Sequence, residues 1–284
     1  MPASVRAIQG RIENIDNIRQ ITKAMNAIAM TKVTRMKRRV VTVRPYLEEI
    51  ESFLARLLGE VVVRIPTHPL TADNGSPYVG VLVLNADRGL CGRFKGDLNR
   101  KGEEVLADLD RRGRLLVGGE KARVHFARRP VETIKTYSRL YEEPTAEAAH
   151  EIASDLISFY RETTLGRVVL VYMQFVSDLA QRVVVEDLLP LRVEGKEGLN
   201  LIEPDPAAVL EYAVPLYLEA RVFRALLETK TSEHAIRRQA MKSATDNADD
   251  LLTLLTRSFN KARQQSITRE IADIIGGAEA LREG

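Results

Sequence analysis

The chain has 284 residues, 45% hydrophobic and 29% charged, with no Trp and a formal net charge of +3, so composition alone does not demand nucleic acid. It is long enough for one or two domains with a real core. One cysteine excludes an internal disulfide framework, and the four histidines, His68, His125, His150 and His234, lack ligand spacing. No apolar run approaches the roughly 18 residues of a membrane span, and "MPASVRAIQG" has no signal-peptide core, which predicts an intracellular soluble chain.

The first segment, 1–60, reads as one long helix. Met36, Val40, Val43, Leu47, Ile50, Leu54 and Leu57 step alternately by four and three, the spacing of a coiled-coil seam. Val5, Ile8, Ile12, Ile15, Ile18, Met25 and Ile28 continue it less regularly. Ser4 can cap the start and Gly59 stands at the expected end. About 55 residues at ~1.5 Å each make a rod roughly 80 Å long, with a kink or break expected at Pro45.

The middle segment, 61–200, changes period. "PTHPLTADNGSP" (66–77) is a linker. Segments 78–84, 114–119, 131–137, 167–176 and 181–193 read as strands, with helical stretches near 94–112, 119–129 and 144–165. Alternating strand and helix predicts a mostly parallel, Rossmann-like sheet. The short connection between the last two strands predicts an antiparallel hairpin on it.

The third segment, 201–284, opens with Asp205 as cap and Pro206 at the first helical position. Leu216, Ala220, Phe223 and Leu227, then Met241, Ala244, Ala248, Leu251, Leu255, Phe259 and Ala262, carry a second seam. The sequence predicts a bend near Pro215 and a stop at Gly276-Gly277. Two terminal helices with complementary seams, separated by an α/β unit, predict an antiparallel coiled coil with an inserted domain.

Two candidate sites in the middle segment are weak. "NADRGLCG" follows a strand and precedes a helix, but matches neither G-x-G-x-x-G nor a phosphate loop. It is read as a structural turn. Cys91 has no histidine within thirty residues on its own side of the loop and is read as a small buried residue, not a nucleophile. No catalytic residue, cofactor or metal site is expected.

Charge is more informative. Asn17 to Leu47 holds eight basic residues (Arg19, Lys23, Lys32, Arg35, Lys37, Arg38, Arg39 and Arg44) and no Asp or Glu. A basic sleeve around a seam, without acids for intrahelical pairing, points to an acidic partner, either protein or nucleic acid. "NKARQQSITREI" (260–271) is a polar band on an otherwise apolar helix, either solvated or gripped by other chains.

"RIENIDNIRQITKAMNAIAMTKVTRMKRR", "DRGLCG" and "SEHAIRRQAMKSATDNADDLL…NKARQQSITREIADIIGGAEAL" resemble the gamma subunit of rotary ATP synthases, at both ends and the central turn. The resemblance implies a central-stalk rotor inside a ring of alpha and beta subunits, one copy per complex, with no active site and no nucleic-acid partner. It implies a foot bound to the membrane c-ring and the epsilon subunit, and a peripheral location on the cytoplasmic face of the bacterial plasma membrane. It further implies that Lys23, Met25, Lys32, Arg35, Arg263, Gln264, Thr268 and Glu270 meet the alpha/beta ring, and that Arg39, Arg44, Asp87, Arg88 and Glu203 belong to the foot. The apolar end, Ile271 to Leu281, would turn in a sleeve of that ring. The loop departs from the family's usual "CGGLN" with Arg93-Phe94-Lys95-Gly96 after Gly92, and Met30-Thr31 stand where small residues are usual.

Overall fold

The computed structural model describes residues 3–61, 68–138, 143–193 and 205–280. Helix α1 spans Ala3–Val61 and helix α5 spans Pro206–Ala280. Between them lie β1 (Val79–Leu84), α2 (Phe94–Leu109), β2 (Gly113–Gly118), α3 (Glu120–Phe126), β3 (Thr133–Tyr137), α4 (Ala146–Arg161), β4 (Arg167–Phe175) and β5 (Gln181–Leu189). Two compact units result: one holds Met1–Ile28 and Arg238–Gly284, the other Ala29–Arg237.

The larger unit contains one five-stranded sheet in the order β3-β2-β1-β4-β5. β1 pairs in parallel with β2 and β4, β2 in parallel with β3, and β4 antiparallel with β5. The expected hairpin is therefore the sheet's antiparallel edge. Side-chain alternation divides β1 between two cores. Leu82 and Leu84 join α4 and parts of α1 and α5, including Leu54, Leu57, Leu218 and Leu226. Val81 and Val83 join Phe94 and Leu98 of α2 and Ala122 and Phe126 of α3. A strand covered on both faces has no need of polar alternation, which is why "VGVLVL" reads as a continuous apolar run. Gly119 and Gly166 sit where an added Cβ would run into the Asn85 and Ser76 carbonyl oxygens respectively, so close backbone approach requires glycine at both.

Within the larger unit, Arg44 of α1 bonds Glu228 of α5, and Met36 and Val40 pack on Leu227. In the smaller unit, Thr245 Oγ1 bonds Thr22 Oγ1 at 2.9 Å and Arg19 bonds Asp249 at 3.2 Å. As the number rises along α1 it falls along α5, so the helices pair antiparallel. The seam over Met36, Val40, Leu47, Leu54 and Leu57 is buried as predicted. Farther toward the N-terminus it differs. Ile18 and Ile28 are exposed, while Thr22, Ala29 and Val33 are buried; on α5 Leu251 is exposed and Leu252 takes the inner position. A 3.6-residue helix drifts from a strict 3.5 repeat, and small inner residues let the backbones approach where the larger ones have rotated outward.

Asp205 caps α5 through the N–H groups of Ala207 and Ala208, both at 3.1 Å. Helix α1 ends at Val61, two residues past Gly59, and neither expected proline break interrupts a helix. Both run through Pro45 and Pro215. The carbonyls that proline deprives of a donor belong to Val41 and Glu211, both exposed residues that water can serve. α5 also passes Gly276-Gly277 to Ala280. Each glycine costs an established helix only about 1 kcal/mol.

Candidate partner-contact surfaces

Doubly wound sheets hold ligands at the carboxyl ends of the strands where the order reverses, here between β1 and β4. In this chain α5 fills that place. Ser232 Oγ donates to the Met173 carbonyl near the end of β4, and Arg237 Nη2 donates to the Gly89 carbonyl in the turn after β1. Ile236 packs with Cys91, Phe94 and Met173. The turn is tied down from within as well. Asn85 Nδ2 donates to the Lys95 carbonyl and to Asn99 Oδ1, at 3.1 and 2.7 Å. Leu90 and Gly92 take left-handed backbone conformations, with φ of 62° and 51°. Cys91 is 1% exposed, and burial, reinforced by Glu233, pushes its thiol up. The turn is packed against α5 and its cysteine is buried in that contact.

The α5 stretch behind this turn is a cluster of buried charge. Glu233, 1% exposed, accepts from Lys230 at 3.0 Å and from Arg237 at 2.6 Å. Burial alone would raise its pKa, but the two cations outweigh that and hold it low. Arg237 Nη1 lies 3.2 Å from His234 Nδ1; an arginine can only donate, so this ring is neutral with its proton on Nε2. Burial lowers the pKa of His234 to about 4. Glu233, His234 and Arg237 lie within the "SEHAIRR" stretch that carries the resemblance, but periodicity and spacing gave them no role, because each is unremarkable on a solvated helix and only burial gives it meaning.

The expected contact residues fall in both units. In the smaller one, Lys23 is exposed and Met25 half-buried on α1. On α5, Arg263, Gln264, Thr268 and Glu270 are all exposed. Thr268 Oγ1 bonds back to the Gln264 carbonyl at 3.0 Å, and Glu270 accepts from Ser266. The antiparallel register sets Lys23 opposite residues near 244, so about 19 residues, or ~28 Å of helix, separate it from Arg263. The expected contacts in this unit therefore fall in two separated stretches. Ser266 is the last buried residue described on α5. Ile271, Ile274 and Ile275 beyond it are 51%, 70% and 58% exposed.

In the larger unit much of the basic run is engaged by the chain itself. Arg35 grips Glu143 with both nitrogens at 3.0 Å, and Lys37 lies 3.7 Å from Asp178. Arg39 donates to the Pro144 carbonyl and lies over the Phe223 ring. Arg44 donates to Glu228 and to the Phe175 carbonyl. The sleeve of uncommitted base that the sequence suggested is thus narrower here: Lys32 and Arg38 are exposed, while Arg39 and Arg44 are half-buried with partners in the chain. Sequence could not show this, because the acids that engage the run lie more than 100 positions away. Asp87 Oδ1 accepts from the Glu120 N–H and fixes the start of α3, and Arg88 is exposed on the same turn. Glu203 and Leu281 lie outside the described residues.

Among the described residues no helix is long and apolar enough to cross a membrane. The family model described as ATP synthase matches residues 4–281. The ATP synthase gamma chain of Moorella thermoacetica is 39% identical over 283 residues, covering 99% of this chain and 100% of that one. That of Mycolicibacterium smegmatis is 38% identical, with 99% of each chain covered. Among solved structures, a chain of the Euglena gracilis mitochondrial ATP synthase OSCP/F1/c-ring assembly superposes with a TM-score of 0.69 at 18% identity, covering 99% of this chain and 95% of that one. A chain of the Tetrahymena thermophila central stalk and c-ring gives 0.62 at 20% identity, covering 79% and 99%. With a buried charge cluster filling the ligand crevice of its sheet, and a full-length match to these relatives, the chain belongs to the gamma-chain family of ATP synthase.

Proposed function

We propose that the chain is the central-stalk rotor of a bacterial ATP synthase, coupling ion flow through a membrane ring to ATP synthesis or hydrolysis in a surrounding alpha/beta ring. One copy serves each complex, at the cytoplasmic face of the plasma membrane, and the chain does no chemistry itself. The observation that carries this reading is the end of α5, which beyond the buried Ser266 leaves Ile271, Ile274 and Ile275 exposed. A long exposed apolar end is a liability unless other chains surround it. Lys23, Met25, Arg263, Gln264, Thr268 and Glu270 of the smaller unit, and Lys32 and Arg35 of the larger, meet the alpha/beta ring. Arg39, Arg44, Asp87, Arg88 and Glu203 belong to the foot, toward the epsilon subunit and the c-ring.

A cross-link separates a rotor from a static scaffold. A cysteine replacing Lys23 or Met25 should pair with one on the facing beta subunit where the Cα atoms come within roughly 7 Å. Oxidation should then stop ATP turnover and reduction restore it. Full turnover in a quantitatively cross-linked complex would refute the rotor reading.

A further inference from the structure

Helix α5 meets the sheet through an apolar core, through Ser232 on the Met173 carbonyl, and through a carboxylate that gathers two arginines. Glu186, on the edge strand β5, accepts from Tyr172 Oη at 3.2 Å and from Arg224 Nη2 at 3.0 and 2.8 Å. It accepts as well from Arg221, whose Nε lies 3.1 Å away and whose Nη2 bonds the same oxygen. Arg221 Nη2 also donates to the neighbouring Asp187 carbonyl at 2.7 Å. One turn further along α5, Glu228 takes two bonds from Arg44 of α1, at 3.2 and 3.1 Å, while Arg44 Nη2 donates to the Phe175 carbonyl at the end of β4. Burial would raise the Glu186 pKa, but Arg221 and Arg224 outweigh it and hold the group ionised.

The two kinds of contact resist different motions. Apolar burial is non-directional; it opposes separation of helix and sheet but fixes the rotation of the helix only through packing. Guanidinium–carboxylate bonds have a fixed planar geometry. Arg221 and Arg224 are three residues apart, so they lie on one face but some 60° apart around the helix axis. Both end on Glu186, so turning α5 either way draws one of them off.

We infer that Glu186 is a positioning residue that locks α5 rotationally to the sheet, so that torque applied to the sheet reaches the helix without slip. The inference rests on the rotor function proposed above. It is tested in the assembled complex, in inside-out membrane vesicles, with Glu186→Gln and with Arg221→Lys, which keeps the charge and loses the fork. Uncoupled ATP hydrolysis, which carries little load, should stay within about twofold of wild type. ATP synthesis against a full phosphorylation potential should fall about fivefold or more in Glu186→Gln and less in Arg221→Lys, with Glu186→Asp partly restoring it. Unchanged synthesis in both variants overturns the inference, and so does an equal loss of loaded and unloaded turnover, which marks a merely structural role. If Glu186→Gln does not assemble, Arg221→Lys decides by the same two rates. A wild-type complex that keeps turning over when cross-linked at Lys23 would instead remove the rotor reading, a separate outcome.

Discussion

Two stretches of the same helix invert the usual placement of residues. From Ala225 to Arg237 every residue of α5 is buried, and the stretch carries Glu228, Lys230, Glu233, His234 and Arg237. From Leu251 to Ala278 most positions are exposed, and among them are Leu251, Leu254, Ile267, Ile271, Ile274 and Ile275. Charge is inside where the chain supplies its own partners, and apolar side chains are outside where it supplies none. In the first stretch Arg44 answers Glu228, and Lys230 and Arg237 answer Glu233, while Glu228 Oε2, Thr229 Oγ1 and His234 Nε2 have no hydrogen-bond partner among the described residues. The second leaves its apolar side chains uncovered by the described residues. A helix surface therefore has to be judged against everything that covers it in the working assembly.

The largest effect expected from breaking this contrast is at Glu233. Glu233→Ala leaves Lys230 and Arg237 buried without their carboxylate and should cost about 3–5 kcal/mol, seen as a lower urea midpoint of the isolated chain. A loss below about 1 kcal/mol would mean the cluster is open to water after all.

His234 sharpens the same contrast through pH. Burial takes its pKa from 6.5 in the unfolded chain to about 4 in the folded one, against Glu233, which favours protonation, and with Lys230, Arg237 and Lys32, which oppose it. Between those values the unfolded chain holds a proton that the folded chain does not, so acid favours unfolding. The stability is fully present above pH 6.5 and is lost as the pH falls toward 4, by about 3 kcal/mol across the whole window. The depressed Glu233 pKa adds a loss that begins only below its ordinary value of 4.5. His234→Gln should flatten the slope between pH 6.5 and 5 in unfolding curves; an unchanged slope would assign it to other groups.

On the exposed stretch the sign of the comparison reverses. Arg263→Ala combined with Gln264→Ala should leave the isolated chain's melting curve nearly unchanged and slow ATP turnover of the assembled complex about tenfold. Charge-assisted bonds to a partner are worth ~1.5–3 kcal/mol each. Normal turnover with normal assembly would remove these two residues from the contact zone. The smallest effect is at Ile274→Ala, which should shift the isolated chain's stability by less than about 0.5 kcal/mol, because a 70% exposed side chain has little burial to lose. A loss of 2 kcal/mol or more, the cost of a core truncation, would show that α5 finds cover within the chain.

Local pattern was enough for the elements. The five strands and their hairpin were legible because period two, period 3.6 and turn residues are properties of neighbouring positions. So was the Asp205-Pro206 start of α5, where the cap and the first turn are adjacent in sequence. Neither Pro45 nor Pro215 interrupts its helix and Gly276-Gly277 does not stop α5, because a long helix absorbs the loss of one hydrogen bond or the cost of a glycine. The seam was legible around Leu47 but not around Ile18, since helical drift accumulates with distance from a fixed point.

The sequence by itself determined the two long helices, the alternating α/β unit, the weakness of the "DRGLCG" turn as a nucleotide site, and the presence of a basic run. Tertiary structure alone decided which charges stay available. Arg35 meets Glu143, Arg44 meets Glu228, and Glu186 gathers Arg221 and Arg224 across separations of 35 to 184 positions. It also decided that Ser232, Ile236 and Arg237 close the crevice where a doubly wound sheet would hold a ligand. The reason is physical. Periodicity is set by the backbone over a few residues, whereas the pairing of charges is set by which elements the hydrophobic core brings together, and that is a property of the folded chain.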